Sequence, residues 1–249
     1  MTEKEKMLRQ LMYDANYDQQ LIAERQQAKE LCYDYNHLRP SDEAGQRALM
    51  QRLLGSSKEA FCILAPFWCD YGYNIEIGEN FFANHNTVIL DAAKVTFGDN
   101  VFIAPNCGFY TAGHPIDTER RNQGLEYAYP ITVGDNVWIG AGVQVMPGVT
   151  IGNNVVIGAG SIVVRDIPDN SVAVGNPCKV IKTIENNYKI EIDNYVMVNF
   201  KSFEKIINAM GGITVDVKKY EADYNYKKFK VKLPYGEDVT LNGKQALCF

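Results

Sequence analysis

The chain has 249 residues, of which 46% are apolar and 22% charged, the balance of a folded globular protein rather than a disordered one. A net charge of −5 without any basic block gives no expectation of a nucleic-acid partner. The charged N-terminus is unlike a signal peptide, no run nears the roughly 18 apolar residues of a membrane span, and six scattered cysteines without a C-x-x-C pair read as free thiols in a reducing cytoplasm.

Residues 1–55 form a first, helical region. Thr2 and Glu5 have the spacing of a capping box opening a first helix. A second is expected roughly from Gln19 to Tyr35, with Leu21, Ala28, Leu31 and Tyr35 on one face. After Arg39-Pro40, Ser41 or Asp42 can cap a third helix carrying Leu49, Leu53 and Leu54, and Gly55 can end it. These short amphipathic elements read as packing elements.

From residue 56 to residue 184 a different beat takes over. An aliphatic residue followed by a small one recurs at Val133-Gly134, Ile139-Gly140, Ile151-Gly152 and Ile157-Gly158, with Val145 and Val163 in the same register. The series 133, 139, 145, 151, 157, 163 has a strict period of six. Ile77-Gly78, Ala83, Phe97-Gly98 and Ile103-Ala104 keep the beat upstream, with two extra residues near Leu90–Lys94. Neither a helical period of 3.6 nor a strand period of 2.0 fits, so the region is a repeat. The physical solution is a triangular coil, each six-residue face sending a branched side chain to the axis. Asn, Asp and Gly at the corners tolerate positive φ and turn the chain, and stacked coils satisfy one another's backbone groups.

The beat breaks once on a large scale. Phe109 to Val133 spans 24 residues where six would serve. The excursion, from Thr111-Ala-Gly-His114-Pro115 to Glu126-Tyr-Ala-Tyr-Pro130, is polar and charged, and long departures from a rigid scaffold are disproportionately functional. Residues 185–249 lose the beat altogether. Tyr195 to Phe200 alternates, Ser202 can cap a helix through Met210, Gly211-Gly212 precedes a strand Ile213–Val217, and lysine and tyrosine are dense from Lys218 to Tyr235. This third region reads as a small α+β piece with a weak core.

Several strings of the repeat region resemble those of the maltose and galactoside O-acetyltransferases: Cys69-Asp-Tyr-Gly-Tyr-Asn74, Asn80-Phe-Phe-Ala-Asn84, Thr111-Ala-Gly-His114-Pro115, Asn136-Val-Trp-Ile-Gly140, Asp166-Ile-Pro168 and Gly175-Asn-Pro-Cys-Lys-Val180. The resemblance includes the N-terminal helices and spans roughly residues 4–184, and Cys69–Asn74 tilts it toward the maltose branch. It implies a mainly β fold, a left-handed parallel β-helix, which is an exception to the right-handed crossover rule. It also implies a homotrimer with active sites between subunits, acetyl-CoA as cosubstrate, a small-molecule sugar as acceptor, and no metal. In the third region, Asn194-Tyr-Val-Met-Val-Asn-Phe200, Ala209-Met-Gly-Gly-Ile-Thr-Val-Asp-Val217 and Leu241-Asn-Gly-Lys-Gln-Ala-Leu247 resemble part of the LytR–CpsA–Psr domain of cell-wall polymer transferases. The acidic and arginine motifs of that domain are missing, so a fragment without phosphotransfer activity is expected.

O-acetyl transfer from a thioester needs a base for the hydroxyl proton, donors for the tetrahedral oxyanion, and a slot that sets carbonyl beside hydroxyl. A histidine side chain, with an ordinary pKa of ~6.5, suits the first task. Of three histidines, His37 falls on a helical segment, His85 sits in the coil beside Asn84, and His114 lies in the excursion between Gly113 and Pro115. By the resemblance His114 is the base, and Asp14, Asp70 and Asn84 meet the acceptor's hydroxyls. Galactoside enzymes tend to carry adjacent carboxylates where this chain has Asp91-Ala92, leaving Asp91 as the acceptor contact there. Glu126 is a candidate to accept the proton on the far side of the imidazole and hold its tautomer. The Ala141 amide is expected to donate to the thioester or oxyanion, Trp138 to wall the acetyl slot, and Ala159, Val164 and Arg165 to line the pantetheine path. Lys179 and Lys182 would meet the coenzyme phosphates as point charges.

An acyl-enzyme through Cys107 is an alternative route, but Cys107 falls on the hexad series 95, 101, 107, which favours a structural side chain and direct attack by the hydroxyl. Other acceptors (an antibiotic, serine, a nucleotide-sugar amine) remain open, as does a non-catalytic scaffold whose tail binds cell-wall polymer. A coil-type carbonic anhydrase would need three histidines around zinc, and only His85 and His114 lie in the coil region.

Overall fold

The computed structural model describes residues 1–184 and 200–248, with side chains from residue 204 in the second stretch. Two compact units divide the chain, Met1–Ile190 and Glu191–Phe249.

The first unit opens with three helices whose ends follow the local signals. Thr2 and Glu5 form the capping box of helix Glu3–Leu8. Asp18 caps Gln19–His37, which turns Leu21, Ala28, Cys32 and Tyr35 inward. Asp42 rather than Ser41 caps Glu43–Leu53, and Leu54, not Gly55, is its C-terminal cap.

The chain then winds into a three-sided parallel coil. Face one stacks Phe61–Ile63, Phe81–Ala83, Phe102–Ile103, Trp138–Ile139, Val156–Ile157 and Ser171–Val174. Face two stacks Phe67–Cys69, Thr87–Leu90, Gly108–Tyr110, Gln144–Val145 and Ile162–Val163. Face three stacks Ser56–Ser57, Ile75–Ile77, Val95–Phe97, Ile131–Val133 and Thr150–Ile151. Registers Ile77↔Phe97 and Val133↔Ile151 give coils of twenty and eighteen residues, the longer ones taking up the extra residues at Asp91–Lys94. Strand Lys179–Thr183 runs antiparallel to Ser171–Val174 and ends the stack.

The hexad residues fill the axis. Val133, Ile139, Val145, Ile151, Ile157 and Val163 are all 0–1% exposed. A second row at Val137, Val143, Val149 and Val155 is equally buried, so each face contributes two apolar side chains rather than one. Burying each such side chain contributes about 1.5–3 kcal/mol before conformational entropy is charged against it. Toward the N-terminal end, Phe81, Phe97 and Phe109 stack with centroids 5.0 Å apart. At the corner between faces three and one, side chains form a ladder. Asp99, Asp135, Asn153 and Asp169 accept the N–H groups of Glu79, Asp99, Asp135 and Asn153 respectively.

The excursion is a built element rather than a loose loop. Ala112–Gly113 and Leu125–Ala128 pair antiparallel, Tyr13–Asp14 adds a third strand beside Leu125–Glu126, and Asp117 caps a short helix Thr118–Asn122. The second unit pairs Ile213–Val217 with Gly236–Leu241 and carries helices Phe200–Ala209, Lys219–Phe229 and Gly243–Cys248 around Val217, Ala222, Leu233 and Leu241. Ser202 lies inside its helix, not at the expected cap, because the helix already includes Phe200. The alternating stretch from Tyr195 to Asn199 lies outside the described residues.

Candidate active site

The corner between faces two and three carries three successive departures from the coil: Asp70–Asn74, Asp91–Lys94 and the excursion with His114. Gly113 leaves room for the Tyr127 side chain, whose hydroxyl would lie 2.5 Å from a Cβ at this position. The His114 Nδ1 is 3.0 Å from the Leu125 carbonyl oxygen. A carbonyl only accepts, so Nδ1 carries the proton and Nε2 keeps its lone pair. That side chain is 49% exposed, and Nε2 lies 3.8 Å from Glu126 Oε1. Glu126 therefore does not hold the tautomer from the far side, as expected from sequence. The Leu125 carbonyl faces Nδ1, and Glu126 stands on the Nε2 side. Its other oxygen accepts from the Tyr13 hydroxyl at 3.0 Å, and burial and the Glu126 charge keep that hydroxyl protonated.

Asp70 belongs to the same cluster. Burial raises its carboxyl; the Arg25 guanidinium opposes the rise and Glu126 adds to it. Arg25 donates to the Tyr71 hydroxyl at 2.7 Å and to the Ala15 carbonyl, and burial pushes the Tyr71 hydroxyl up to about 12. Sequence reasoning passed over Arg25, although the signal was present: it sits among Leu21, Ala28 and Cys32 on the inward face of its helix, where a charge needs a partner. No sequence signal marks the Leu125 carbonyl. Asp14 lies on the strand beside Leu125, and its Oδ1 accepts from the Asn16 and Tyr17 amides.

Asp91 departs from expectation. It is fully buried, and its carboxylate accepts the amides of Asp70 (3.1 Å), Tyr71 (2.8 Å) and Asn74 (3.3 Å). A side chain so enclosed and so occupied does not make the acceptor contact expected of it from sequence; it serves the Asp70–Asn74 turn instead.

The remaining site residues fall into a second set. Asn84, Ala141 and Ala159 occupy the corner between faces one and two, and Trp138 projects from face one with 58% exposure. Gly140 lets the stacked coils approach, since a Cβ would lie 2.6 Å from the Ala159 nitrogen. Gly140, Gly142, Gly158 and Gly160 each donate to a neighbouring coil, whereas the N–H groups of Ala141 and Ala159 donate to no backbone carbonyl among the described residues. Asn84 Oδ1 accepts from the His85 amide. Val164 and Arg165 are exposed at the His114 corner, and Lys179 and Lys182 are exposed on the terminal strand. One chain thus brings together His114, Glu126, Asp70 and Asp14 at one corner, and Asn84, Ala141 and Ala159 at another. Cys107 is buried, its thiol donates toward the Gly140 carbonyl at 3.2 Å, and burial raises it, all of which favour a structural thiol.

The hexad coil with its histidine-bearing corner defines a class, the hexapeptide-repeat transferases. Comparison with known proteins agrees. The maltose acetyltransferase hexapeptide capping motif matches residues 6–58 and the bacterial transferase hexapeptide (six repeats) matches residues 130–165. Among similar solved structures are a maltose O-acetyltransferase from Clostridium difficile 630 (53% identity, TM-score 0.72, covering 74% of this chain and 98% of that one) and a galactoside acetyltransferase in complex with coenzyme A (42%, 0.73, 80% and 99%). A third is a hexapeptide-repeat acetyltransferase from Vibrio cholerae complexed with acetyl coenzyme A (38%, 0.68, 74% and 99%). The chain belongs to the maltose/galactoside O-acetyltransferase family and is an acetyltransferase. Its C-terminal part, residues 168–249, matches the LytR–CpsA–Psr family.

Proposed function

We propose that the chain transfers the acetyl group of acetyl-CoA to a hydroxyl of a neutral sugar, with His114 as general base. The observation that carries this reading is the tautomer: the Leu125 carbonyl fixes the proton on Nδ1, so Nε2 is an open acceptor beside the Glu126–Asp70 cluster. In this reaction the acceptor O–H gives its proton to Nε2 while its oxygen forms a bond to the thioester carbonyl carbon. The oxyanion is held by the unpartnered N–H of Ala141. The C–S bond then breaks, and the imidazolium returns the proton to the departing thiolate. Carboxylates at Asp14, Asp70 and Glu126, balanced nearby by Arg25, favour hydroxyls and disfavour acidic sugars. Trp138 walls the acetyl slot, Ala159, Val164 and Arg165 line the pantetheine path, and Lys179 and Lys182 take the phosphates. A thioester cosubstrate and six free cysteines fit a reducing cytoplasm.

In the same reading the working unit is a homotrimer. The base and the donor amides lie at different corners of one prism, so a site that uses both closes between two copies, and a head-to-tail contact of that kind repeats around a closed ring. Surface chemistry supports this. The outward column of face three is Glu76, Thr96, Thr132 and Thr150, whereas that of face one is Phe82, Phe102, Trp138, Val156 and Val172. Face two adds an exposed Trp68 beside Val88. Face one is thus apolar outward and face three polar, while face two is mixed, with Gly108, Gln144 and Ile162 following Trp68 and Val88. No helix among the described residues is long and apolar enough to cross a membrane.

Substituting His114→Ala should lower kcat roughly 10²–10⁴-fold with little change in acetyl-CoA affinity. Turnover near that of the unaltered protein would refute the base assignment. Light scattering of the purified protein should give about three times the 28.0 kDa subunit mass, and a fully active monomer would refute the shared site.

A further inference from the structure

We infer that Asp91 is a positioning residue for the acceptor: by accepting three backbone amides of the Asp70–Asn74 turn, its buried carboxylate holds Asp70 in place beside Glu126 and His114. The proposal rests on the sugar-acetylation reading above. At this corner the coils are two residues too long, and the surplus turns cannot pair all their amides with the coils above and below. The described side chains solve this in two successive steps. Asp91 reaches one coil back to the Asp70, Tyr71 and Asn74 amides, and the Asn74 side chain returns a hydrogen bond to the Asp91 carbonyl at 2.7 Å. Thr111, fully buried one coil further on, accepts the Ala93 amide at 2.9 Å and donates to the Leu90 carbonyl at 2.6 Å.

Thr111 is also the root of the excursion, since its carbonyl accepts the Tyr129 amide and His114 lies three residues later. A continuous buried polar chain therefore runs from the segment that carries the base, through the Asp91 turn, to the turn that carries Asp70. The carboxylate is specifically suited to position 91. A hydroxyl satisfies the single amide at Ala93, but three amides require an acceptor with two oxygens and their four lone-pair directions. Enclosing that charge is costly, and burial lifts the Asp91 carboxyl to about 6 against the pull of the amides. The charge is retained where it fixes the turn that carries the Asp70 carboxylate. The nearby groups that feel it are Asp70, Tyr73 and the Cys32 and Cys69 thiols.

Asp91→Asn keeps the shape but sets an NH₂ group against an amide donor. Steady-state kinetics on the full chain should show acceptor KM rising about tenfold or more, with kcat and the KM for acetyl-CoA within about threefold. Because Asp91 acts through Asp70, the Asp91→Asn and Asp70→Asn losses should not add in a double-mutant cycle. Additive losses, or a matching loss in acetyl-CoA KM and kcat, would overturn the proposal. Should Asp91→Asn fail to fold, Asp91→Ser, which accepts at most part of the three-amide set, must give the same split, with acceptor KM raised and kcat and acetyl-CoA KM held. Wild-type protein that acetylates no sugar overturns the functional reading and this proposal with it. An active wild type with an additive cycle overturns only the role of Asp91.

Discussion

At the corner between faces three and one, Asp99, Asp135, Asn153 and Asp169 each accept an amide from the preceding coil, in solvent and in strict step with the repeat. At the corner between faces two and three, Asp91 and Thr111 perform the same task, but buried, and out of step with the repeat by the surplus residues they restrain. The surroundings reverse the electrostatics. The Glu79 amide and then Lys58 hold the exposed Asp99 carboxyl below its ordinary value, while burial carries that of Asp91 up to about 6. One chemical device thus serves regularity at one corner and irregularity at another, and the candidate chemistry sits at the irregular one.

Kinetic, thermal and pH measurements can break or sharpen this contrast. The largest effect is expected at Glu126. Since the Leu125 carbonyl, not Glu126, fixes the imidazole tautomer, Glu126→Gln should raise acceptor KM about tenfold yet lower kcat far less than the ~10⁴-fold loss of a tautomer-holding carboxylate. A kcat loss of that size would return the tautomer role to Glu126. At the regular corner, Asp135→Ala removes one cap from the ladder. A thermal melt should fall by roughly 2–4 °C with kcat/KM unchanged, and a kinetic defect would mean the two corners are not separable.

A smaller effect is expected in pH dependence, with opposite signs at the two corners. Asp91 has a folded pKa raised above its ordinary 3.8, so the folded protein binds more protons than the unfolded chain between pH about 4 and about 6. Its contribution therefore declines as pH rises through that window. Asp99, with a lowered pKa, contributes above its ordinary value and loses that contribution as pH falls. The melting difference between wild type and Asp91→Asn should move in favour of wild type on acidification from pH 7 to pH 4.5, and that for Asp99→Asn should shrink near pH 3.5. The same sign at both sites would contradict the burial argument. The smallest effect is expected from the C-terminal region: a chain ending at Asn187 should keep kcat/KM within about tenfold, or ~1.4 kcal/mol of transition-state stabilisation. A larger loss would give the LytR–CpsA–Psr-like part a share of the active site.

The six-residue beat by itself determined the coil, one of its two rows of axial residues and the place where it breaks, because a narrow axis admits apolar side chains at fixed intervals. Strings that resemble the family's around His114, Asp70 and Asn84 pointed to candidate site residues. The roles within the site were not legible. The Leu125 carbonyl is a backbone group and leaves no trace in residue identity, Tyr13 reaches Glu126 across 113 residues, and Arg25 is one charge in a helix until the opposing surface is known. Asp91 is the clearest case. The family resemblance makes it a sugar contact, and only tertiary structure, by burying it beneath three amides of the preceding coil, makes it part of the frame instead. Periodicity is a local property that a chain carries in its order. Desolvation and hydrogen-bond partnership depend on which distant segments meet, and those were decided by the fold.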